Sequence, residues 1–245
     1  MIDGTDDDDS YRFVNFTLYG EQNFEKYLHP FVPVDLAVDL HNNYIIASKS
    51  LVRVYRRTEL LFQYVPHYEP KTMELPEIVS ISLNKYSEEI LLLDRANKVI
   101  QTFDNKNIFL YQTDVSEYAM LPSKCHLVDQ KTLVLTDTSE NSVNVCQFIS
   151  GSILSCQSHG MYGIGRGEFV NPTSMCSDEM GNVLICDTGN HRLCVMDAHG
   201  KFISSLGRLG STVGCFKSPV SIDIHEKFGV LLVADEDNGR IVIYA

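Results

Sequence analysis

The chain repeats one sequence pattern twice in its C-terminal third. The first copy reads GIGRGEFVNPTS at 163–174 and GNVLICDTGNHRL at 181–193. The second copy reads GRLGSTVGCFKSPVS at 207–221 and GVLLVADEDNGRI at 229–241. Asp187, Asn190 and Arg192 of the first copy recur 48 residues later as Asp235, Asn238 and Arg240. A fixed period in this range indicates stacked or radially arranged structural repeats.

Each copy predicts four short strands. Val220, Ile222 and Ile224 alternate with polar residues, which is typical of a half-buried strand. The apolar run 230–234 predicts a strand that is buried on both faces. Four antiparallel strands within forty-odd residues are typical of one blade of a β-propeller.

Weaker copies of the pattern extend towards the N-terminus. A marker proline begins each copy, and the five are Pro33, Pro76, Pro122, Pro172 and Pro219. We therefore predict an all-β chain that forms a single β-propeller with five four-stranded blades; a count of six is the alternative.

The two ends of the chain are predicted to close the ring. The segment 11–20 is similar to the fourth strand of a copy, whereas the last copy stops after its third strand, 240–244. Pairing between these segments would complete the last blade and remove an open sheet edge. The propeller would then occupy residues 11–245, after a disordered acidic tail at 1–10.

Composition limits the classes of function. The 245 residues carry a formal net charge of −12, which disfavours a generally basic surface that coats nucleic acid. Seven cysteines without a Cys-x-x-Cys pair predict free thiols in a reducing cytoplasm. The eight histidines lack close metal-ligand spacing, and no nucleophile motif is present. We expect no enzyme activity, no metal, no cofactor and no membrane segment.

The repeat resembles a known family. Phe169, Pro172, Gly181 and Asp187, followed by NHRL at 190–193, are similar to the NHL repeat. The fourth and fifth copies match it well, the second and third partly and the first poorly, so the resemblance covers essentially residues 11–245. The resemblance implies an NHL-type propeller like those at the C-terminal end of tripartite-motif ubiquitin ligases, which bind RNA or protein partners. The usual blade number in those ligases is six. An amidating lyase and bacterial sensor kinases also contain such propellers.

Polar residues recur at the end of each predicted second strand. A carboxylate there can accept hydrogen bonds from turn amides, and Asn tolerates the left-handed backbone conformation that tight turns need. We predict a structural role for these residues: Asp94, Asn97, Asp137, Asn141, Asp187, Asn190, Asp235 and Asn238.

Basic and aromatic residues lie beside these turns and in the loops between blades, which lead to the same face. Taken singly, each is expected to be an exposed loop residue, and Phe169 to be a core plug between blades. Together they predict a partner-binding face that also involves Tyr68, Lys71 and Tyr118. Its principal members are Arg95, Lys98, Tyr162, Arg166, His191, Arg192, Arg208, Lys217 and Arg240.

Two functions fit this face, and an enzyme or a sensor is the third class of function that stays open. The first is a non-catalytic protein-binding propeller, as the target-recognition domain of a larger cytoplasmic ubiquitin ligase or scaffold protein, since Tyr and Arg are frequent interface hot spots. The alternative is a propeller that binds single-stranded or hairpin RNA in post-transcriptional regulation, with cations on phosphates and aromatic rings on bases. Reversing the charges of Arg192 and Arg208 is expected to abolish binding without unfolding the chain.

Overall fold

The computed structural model of the protein describes residues 2–4, 11–16, 22–67, 74–225 and 228–244. These residues form antiparallel strands connected by turns, with short 3-10 segments as the helical elements. They divide into two compact units, 1–112 and 113–245.

The first unit is built on three antiparallel sheets. Its N-terminal sheet contains β1 (Ile2–Gly4), β2 (Tyr11–Phe16) and β3 (Gln22–Tyr27). The second sheet contains β4 (Asp35–Val38), β5 (Asn43–Ala47), β6 (Val52–Arg56) and β7 (Glu59–Tyr64). The third sheet contains β8 (Ile78–Leu83), β9 (Ile90–Asp94), β10 (Val99–Phe103) and β11 (Phe109–Asp114).

The second unit also contains three antiparallel sheets, and consecutive strands are neighbours in each. The first comprises β12 (Pro122–Leu127), β13 (Thr132–Asp137), β14 (Ser142–Ile149) and β15 (Ser152–His159). The next comprises β16 (Pro172–Ser177), β17 (Val183–Asp187), β18 (Arg192–Met196) and β19 (Phe202–Leu206). The last comprises β20 (Pro219–His225), β21 (Val230–Asp235) and β22 (Arg240–Tyr244).

The core lies between neighbouring sheets within each unit. All five residues of β9 are buried, as expected for an apolar strand that is covered on both faces. In the second unit, Phe169 packs among residues of two sheets, including Val134 and Ile185. Phe216 packs in the same way between the next two sheets. These contacts bury the apolar side chains of each strand against the neighbouring sheet.

The five repeat sheets confirm the all-β fold and the predicted number of blades. Four of them have four strands, and the last has three described strands. The single domain at 11–245 stays a prediction.

The predicted pairing of 11–20 beside 240–244 is wrong. Strand β2 pairs with β3 along one edge and, through residues 11–13, with β1 along the other. Among the described residues, β22 pairs with β21 and not with β2. Phe13 anchors this sheet by packing with Leu28 and Tyr55. The hairpin partner Gln22–Tyr27 was not predicted from the sequence; residues 17–21 lie outside the described residues.

The predicted tail at 1–10 is described only in part. Ile2–Gly4 forms strand β1, which pairs with β2. Residues 5–10 lie outside the described part of the chain, so their predicted disorder stays a prediction.

The prediction of seven free thiols is also corrected. Cys146 and Cys156 lie directly opposite each other on β14 and β15 and form a disulfide. Strand register, which the sequence does not show, brings them together. The other five cysteines are free and buried. Burial, for example, raises the pKa of the Cys194 thiol to about 12.

Candidate functional site

One buried carboxylate organises the turn after β17. Asp187 has no exposed surface. Its Oδ1 accepts a hydrogen bond from the Val170 amide at 2.7 Å, while its Oδ2 accepts bonds from Asn190 Nδ2 and Arg192 Nε, each at 2.8 Å. The carboxylate therefore joins the loop that precedes the blade to the turn that follows its second strand.

The next blade repeats this arrangement. Asp235 Oδ1 accepts bonds from the amides of Lys217 and Ser218, at 2.8 and 3.1 Å. Its Oδ2 accepts bonds from Asn238 Nδ2 at 2.7 Å and from Arg240 Nε at 3.0 Å. Burial opposes ionisation of Asp235, but these hydrogen bonds outweigh it and lower the pKa of the carboxyl.

The two repeat arginines bind the protein's own backbone. The Arg192 guanidinium donates to the carbonyls of Ile164, Gly165 and Glu168 at 2.8–2.9 Å. Its side chain is only 14% exposed. Arg240 donates in the same way to the carbonyls of Ser211 and Cys215, at 2.7 Å.

The expectation that Arg192 could be reversed without affecting the fold is therefore wrong. Its guanidinium is an internal link between a buried carboxylate and the loop before the blade. A negative charge at this position would face Asp187 and leave three carbonyls without their donor.

In the blades β8–β11 and β12–β15, the second strand also ends in a carboxylate, but no arginine follows it as Arg192 follows Asp187. Asp94 accepts bonds from the Glu77 amide and from Asn97 Nδ2. Asp137 accepts bonds from the amides of Met120 and Leu121.

The left-handed turn residue is not the predicted asparagine in most blades. Asn97, Asn190 and Asn238 use their side chains to bind the carboxylate, and the following residue has positive φ: Lys98, His191 or Gly239. Asn141 is the exception, with φ of 54°. It follows its aspartate by four residues, so it occupies the later position of the turn.

In the second unit, the turn after the second strand of one blade also binds the loop that enters the next blade. Asn141 Oδ1 accepts a bond from the Asn171 amide at 2.8 Å. His191 Nδ1 donates to the Lys217 carbonyl. Each of these loops is thus tied to the blade before it and, through Asp187 or Asp235, to the blade after it.

The predicted face is distributed over both units. Arg95 and Lys98 lie in the first unit and its other principal members in the second. Arg208, Lys217 and Tyr162 are exposed, and Arg166 lies over the Phe202 ring, 5.5 Å from its centroid. Tyr118 is half-buried. Tyr68 and Lys71 lie outside the described residues. The role of this face in binding stays a prediction.

Arg95 is engaged by a carboxylate in the first unit. It donates two hydrogen bonds to Glu77, at 2.7 and 3.1 Å, and Lys49 Nζ lies 3.0 Å from the same carboxylate. The hydrogen bonds from Arg95 and Lys49 lower the pKa of Glu77 to about 2.

We expect Glu77 to contribute to stability only in its ionised form. Its folded-state pKa is depressed, so the contribution is present above pH 4.5 and is lost as pH falls towards 2. Thermal unfolding temperatures of wild type and Glu77→Gln should differ most at neutral pH and converge across this window. A constant difference down to pH 2 would contradict the ion-pair assignment.

An apolar feature of the loops that enter the last two blades was predicted from the sequence only at Tyr162. Five large apolar side chains are exposed at the loops that enter the last two blades, and we call them the apolar loop tips: Met161, Tyr162, Ile164, Leu209 and Val213. Tyr162, Ile164 and Val213 are 74%, 80% and 99% exposed. Apolar residues between closely spaced glycines were the available signal.

Buried phenylalanines fix the backbone of these tips. Tyr162 pairs with Phe169, and Leu209 pairs with Phe216, in two equivalent parallel bridges. The ring of Phe169 lies under Gly160, where an added Cβ would be 2.5 Å from Cδ2. Each tip is therefore an exposed side chain on a backbone that is anchored in the core.

The described part of the chain contains neither a metal site nor a membrane-spanning helix. It contains no group of three or more His, Cys, Asp or Glu residues arranged to hold a metal. None of its helices is long and apolar enough to span a membrane.

Comparison with known proteins identifies the repeat. The family model described as NHL repeat matches residues 169–196. RING finger protein nhl-1 of Caenorhabditis elegans is 36% identical over 63 residues, which are 26% of this chain and 6% of the relative. Protein brain tumor of Drosophila melanogaster is 24% identical over 86 residues, 35% of this chain and 8% of the relative. The matched stretches thus span less than a tenth of the length of either relative.

Solved structures share the fold at low identity. The WD40 β-propeller domain of Doa1 aligns with a TM-score of 0.66 and 12% identity, covering 100% of this chain and 77% of that one. Virginiamycin B lyase from Staphylococcus aureus, solved as its inactive H270A form with quinupristin, aligns with a TM-score of 0.64 and 11% identity over 99% and 82%. The chain has a β-propeller fold and carries an NHL repeat at 169–196.

Proposed function

We propose, from the NHL repeat and the propeller fold, that the second unit is a non-catalytic protein-binding module that presents its apolar loop tips to a protein partner. The observation that carries the proposal is the exposure of these side chains on an anchored backbone. Exposed apolar clusters on soluble proteins mark interaction sites. A backbone that is already ordered loses little conformational entropy on binding.

The charges of this unit favour protein over RNA. Residues 113–245 contain nine Lys and Arg residues against fifteen Asp and Glu residues. Arg192 and Arg240, which were expected to contact a ligand, are bound to internal carboxylates and carbonyls. Contacts between Lys or Arg and phosphates dominate the affinity of proteins for nucleic acid. Such contacts require cationic side chains that can face the ligand.

The wider role is part of the same proposal. One relative is named as a RING finger protein, which supports placing this chain as the target-recognition part of a larger cytoplasmic ubiquitin ligase or scaffold. The propeller would contribute recognition and leave catalysis to other segments or partners.

Charge substitution at the apolar loop tips tests the proposal. We expect the double variant Ile164→Asp/Val213→Asp to lose its partners in affinity capture from cell lysate, since burying two carboxylates at an apolar contact is costly. If Tyr162 is a hot spot, the single change Tyr162→Ala should weaken the binding of a purified partner by about 2 kcal/mol, which is roughly thirtyfold in Kd.

Met180→Asp is the matched control. Met180 is 86% exposed but lies in the β16–β17 hairpin, at the other end of its blade. It should retain every wild-type partner. Partners that persist in the double variant would contradict the proposal. Loss of capture after nuclease treatment would identify RNA as the partner instead. The affinity would then fall with salt concentration, with a log–log slope of about −0.7 per phosphate contact.

A further inference from the structure

The disulfide lies at the outer edge of the first blade of the second unit. It joins Cys146 on β14 to Cys156 on β15, ten residues later. Backbone pairing of these two strands extends from residue 143 opposite 159 to residue 149 opposite 152. Strand β15 is therefore held to β14 on both sides of the disulfide.

The other complete blades retain their fourth strand without a covalent bond. Strands β7, β11 and β19 each pair with the strand that precedes them. The five remaining cysteines are free, and with the bonded pair they account for all seven in the chain. Because a blade of this chain does not need a disulfide to keep its outer strand, the bond at β15 points to a role beyond folding.

The two sulfurs of the disulfide differ in access. Cys146 is 1% exposed. Cys156 is half-buried on the outermost strand of its sheet, and its neighbours Ser155 and Gln157 are exposed. Thiol–disulfide exchange requires that the attacking thiolate reaches one of the two sulfurs. A thiol in solution therefore attacks Cys156.

Most of the free thiols are poor competitors for this chemistry. Four of them are at most 4% exposed: Cys125, Cys176, Cys186 and Cys194. Burial raises the pKa of the last three, so these thiols stay protonated at neutral pH, whereas the thiolate is the reactive form. Cys215 differs, because hydrogen bonds from Thr212 and Arg208 lower its pKa, although it is only 6% exposed.

Strand β15 leads directly into the apolar loop tips. It ends at His159, and Met161 and Tyr162 follow in the loop. The His159 ring rests on Gly200 of the β18–β19 turn, where an added Cβ would be 2.2 Å from Nε2. The end of β15 thus carries the loop and also packs against the next blade.

We propose that Cys156 is a thiol-exchange site, at which a small thiol of the glutathione class opens the disulfide and thereby loosens β15 and the loop that follows it. The attacking thiolate forms a bond to Cys156 Sγ, and Cys146 leaves as a thiolate that takes up a proton. A second small thiol then attacks the sulfur of the first, which releases Cys156 as a thiol. The protein disulfide gains two electrons and two protons, and the two small thiols become one small disulfide.

Control of binding by this exchange rests on the proposed role of the apolar loop tips, whereas the exchange itself does not. In the oxidised chain, the cross-link keeps β15 on β14 and so holds the start of the 160–171 loop. In the reduced chain, backbone pairing alone holds the strand. We expect the oxidised chain to be the form that binds more tightly.

Single-cysteine variants test the site of exchange. Both are made in the full chain with Cys215→Ser, which removes the free thiol of lowered pKa. Cys146→Ser leaves Cys156 without its partner, and oxidised glutathione should convert it to a stable mixed disulfide. Cys156→Ser leaves the buried Cys146, which should react at least about tenfold more slowly. Alkylation of the remaining thiols followed by mass spectrometry measures both reactions.

Amide hydrogen exchange tests the effect on the loop. In the Cys215→Ser chain with both bridge cysteines present, reduction by glutathione should accelerate exchange of the amides in residues 153–165 at least about tenfold, since the cross-link no longer limits local opening. The amides of β19, which is the fourth strand without a disulfide, serve as the internal control and should not change.

The outcomes that overturn the proposal are distinct. Failure of Cys146 and Cys156 to form a disulfide under oxidised glutathione excludes the exchange. Equal reaction of the two single-cysteine variants excludes Cys156 as the point of attack. Unchanged amide exchange on reduction excludes the effect on the loop. Partner capture that Ile164→Asp/Val213→Asp abolishes, but that is equal for the oxidised and reduced chains, overturns the control of binding and leaves the proposed function standing.

Discussion

Replacing Asp187 by alanine is expected to destabilise the second unit by about 3–5 kcal/mol, because it leaves a buried guanidinium and a buried amide without their acceptor. Arg192 Nε, Asn190 Nδ2 and the Val170 amide all lose their bond to the carboxylate. The effect should appear as a lower urea midpoint with little change in slope, which indicates reduced stability of the same folded state.

Asp178→Ala provides the matched control. Asp178 accepts bonds from the Met180 and Asn182 amides in a partly exposed hairpin turn of the same blade. Its loss should cost about 1 kcal/mol, since water can replace the acceptor. Equal destabilisation by the two substitutions would show that Asp187 is no more than an ordinary turn residue.

Replacing Phe169 by alanine is expected to cost about 3–5 kcal/mol through lost burial and the cavity left behind. Its ring is fully buried in a cluster that includes Met175, Val183 and Cys194. Phe169→Leu should recover part of the loss, because it refills much of the volume. Equilibrium unfolding in urea measures both changes.

Tyr162→Ala is the control from the same loop. Tyr162 pairs with Phe169 through its backbone, and its side chain is mostly exposed. Its truncation should change stability by less than about 0.5 kcal/mol. If Phe169→Ala were equally mild, the ring would not be the anchor of the loop.

The repeat spacing predicted the blades and the turn aspartates because both depend on local sequence. It did not predict the role of Arg192, whose carbonyl partners lie 24–28 residues earlier in the chain. Nor could apolar alternation alone assign a partner to strand β2, since any neighbouring strand of matching pattern satisfies it.

The cysteine pair illustrates the same limit. Cys146 and Cys156 are ten residues apart, and only the register of β14 against β15 places them opposite each other. A shift of one residue would send the two side chains to opposite faces of the sheet. Sequence composition therefore could not separate these two cysteines from the five buried thiols.

The double attachment of the loops in the second unit has an evolutionary consequence. Asp187, Arg192 and Phe169 hold the ends and the backbone of the 160–171 loop, whereas Ile164 and Tyr162 take no part in holding it through their side chains. Substitutions at the tips can thus accumulate without loss of stability. Duplicated copies of such a gene would be free to diverge in recognition while inheriting one unchanged scaffold.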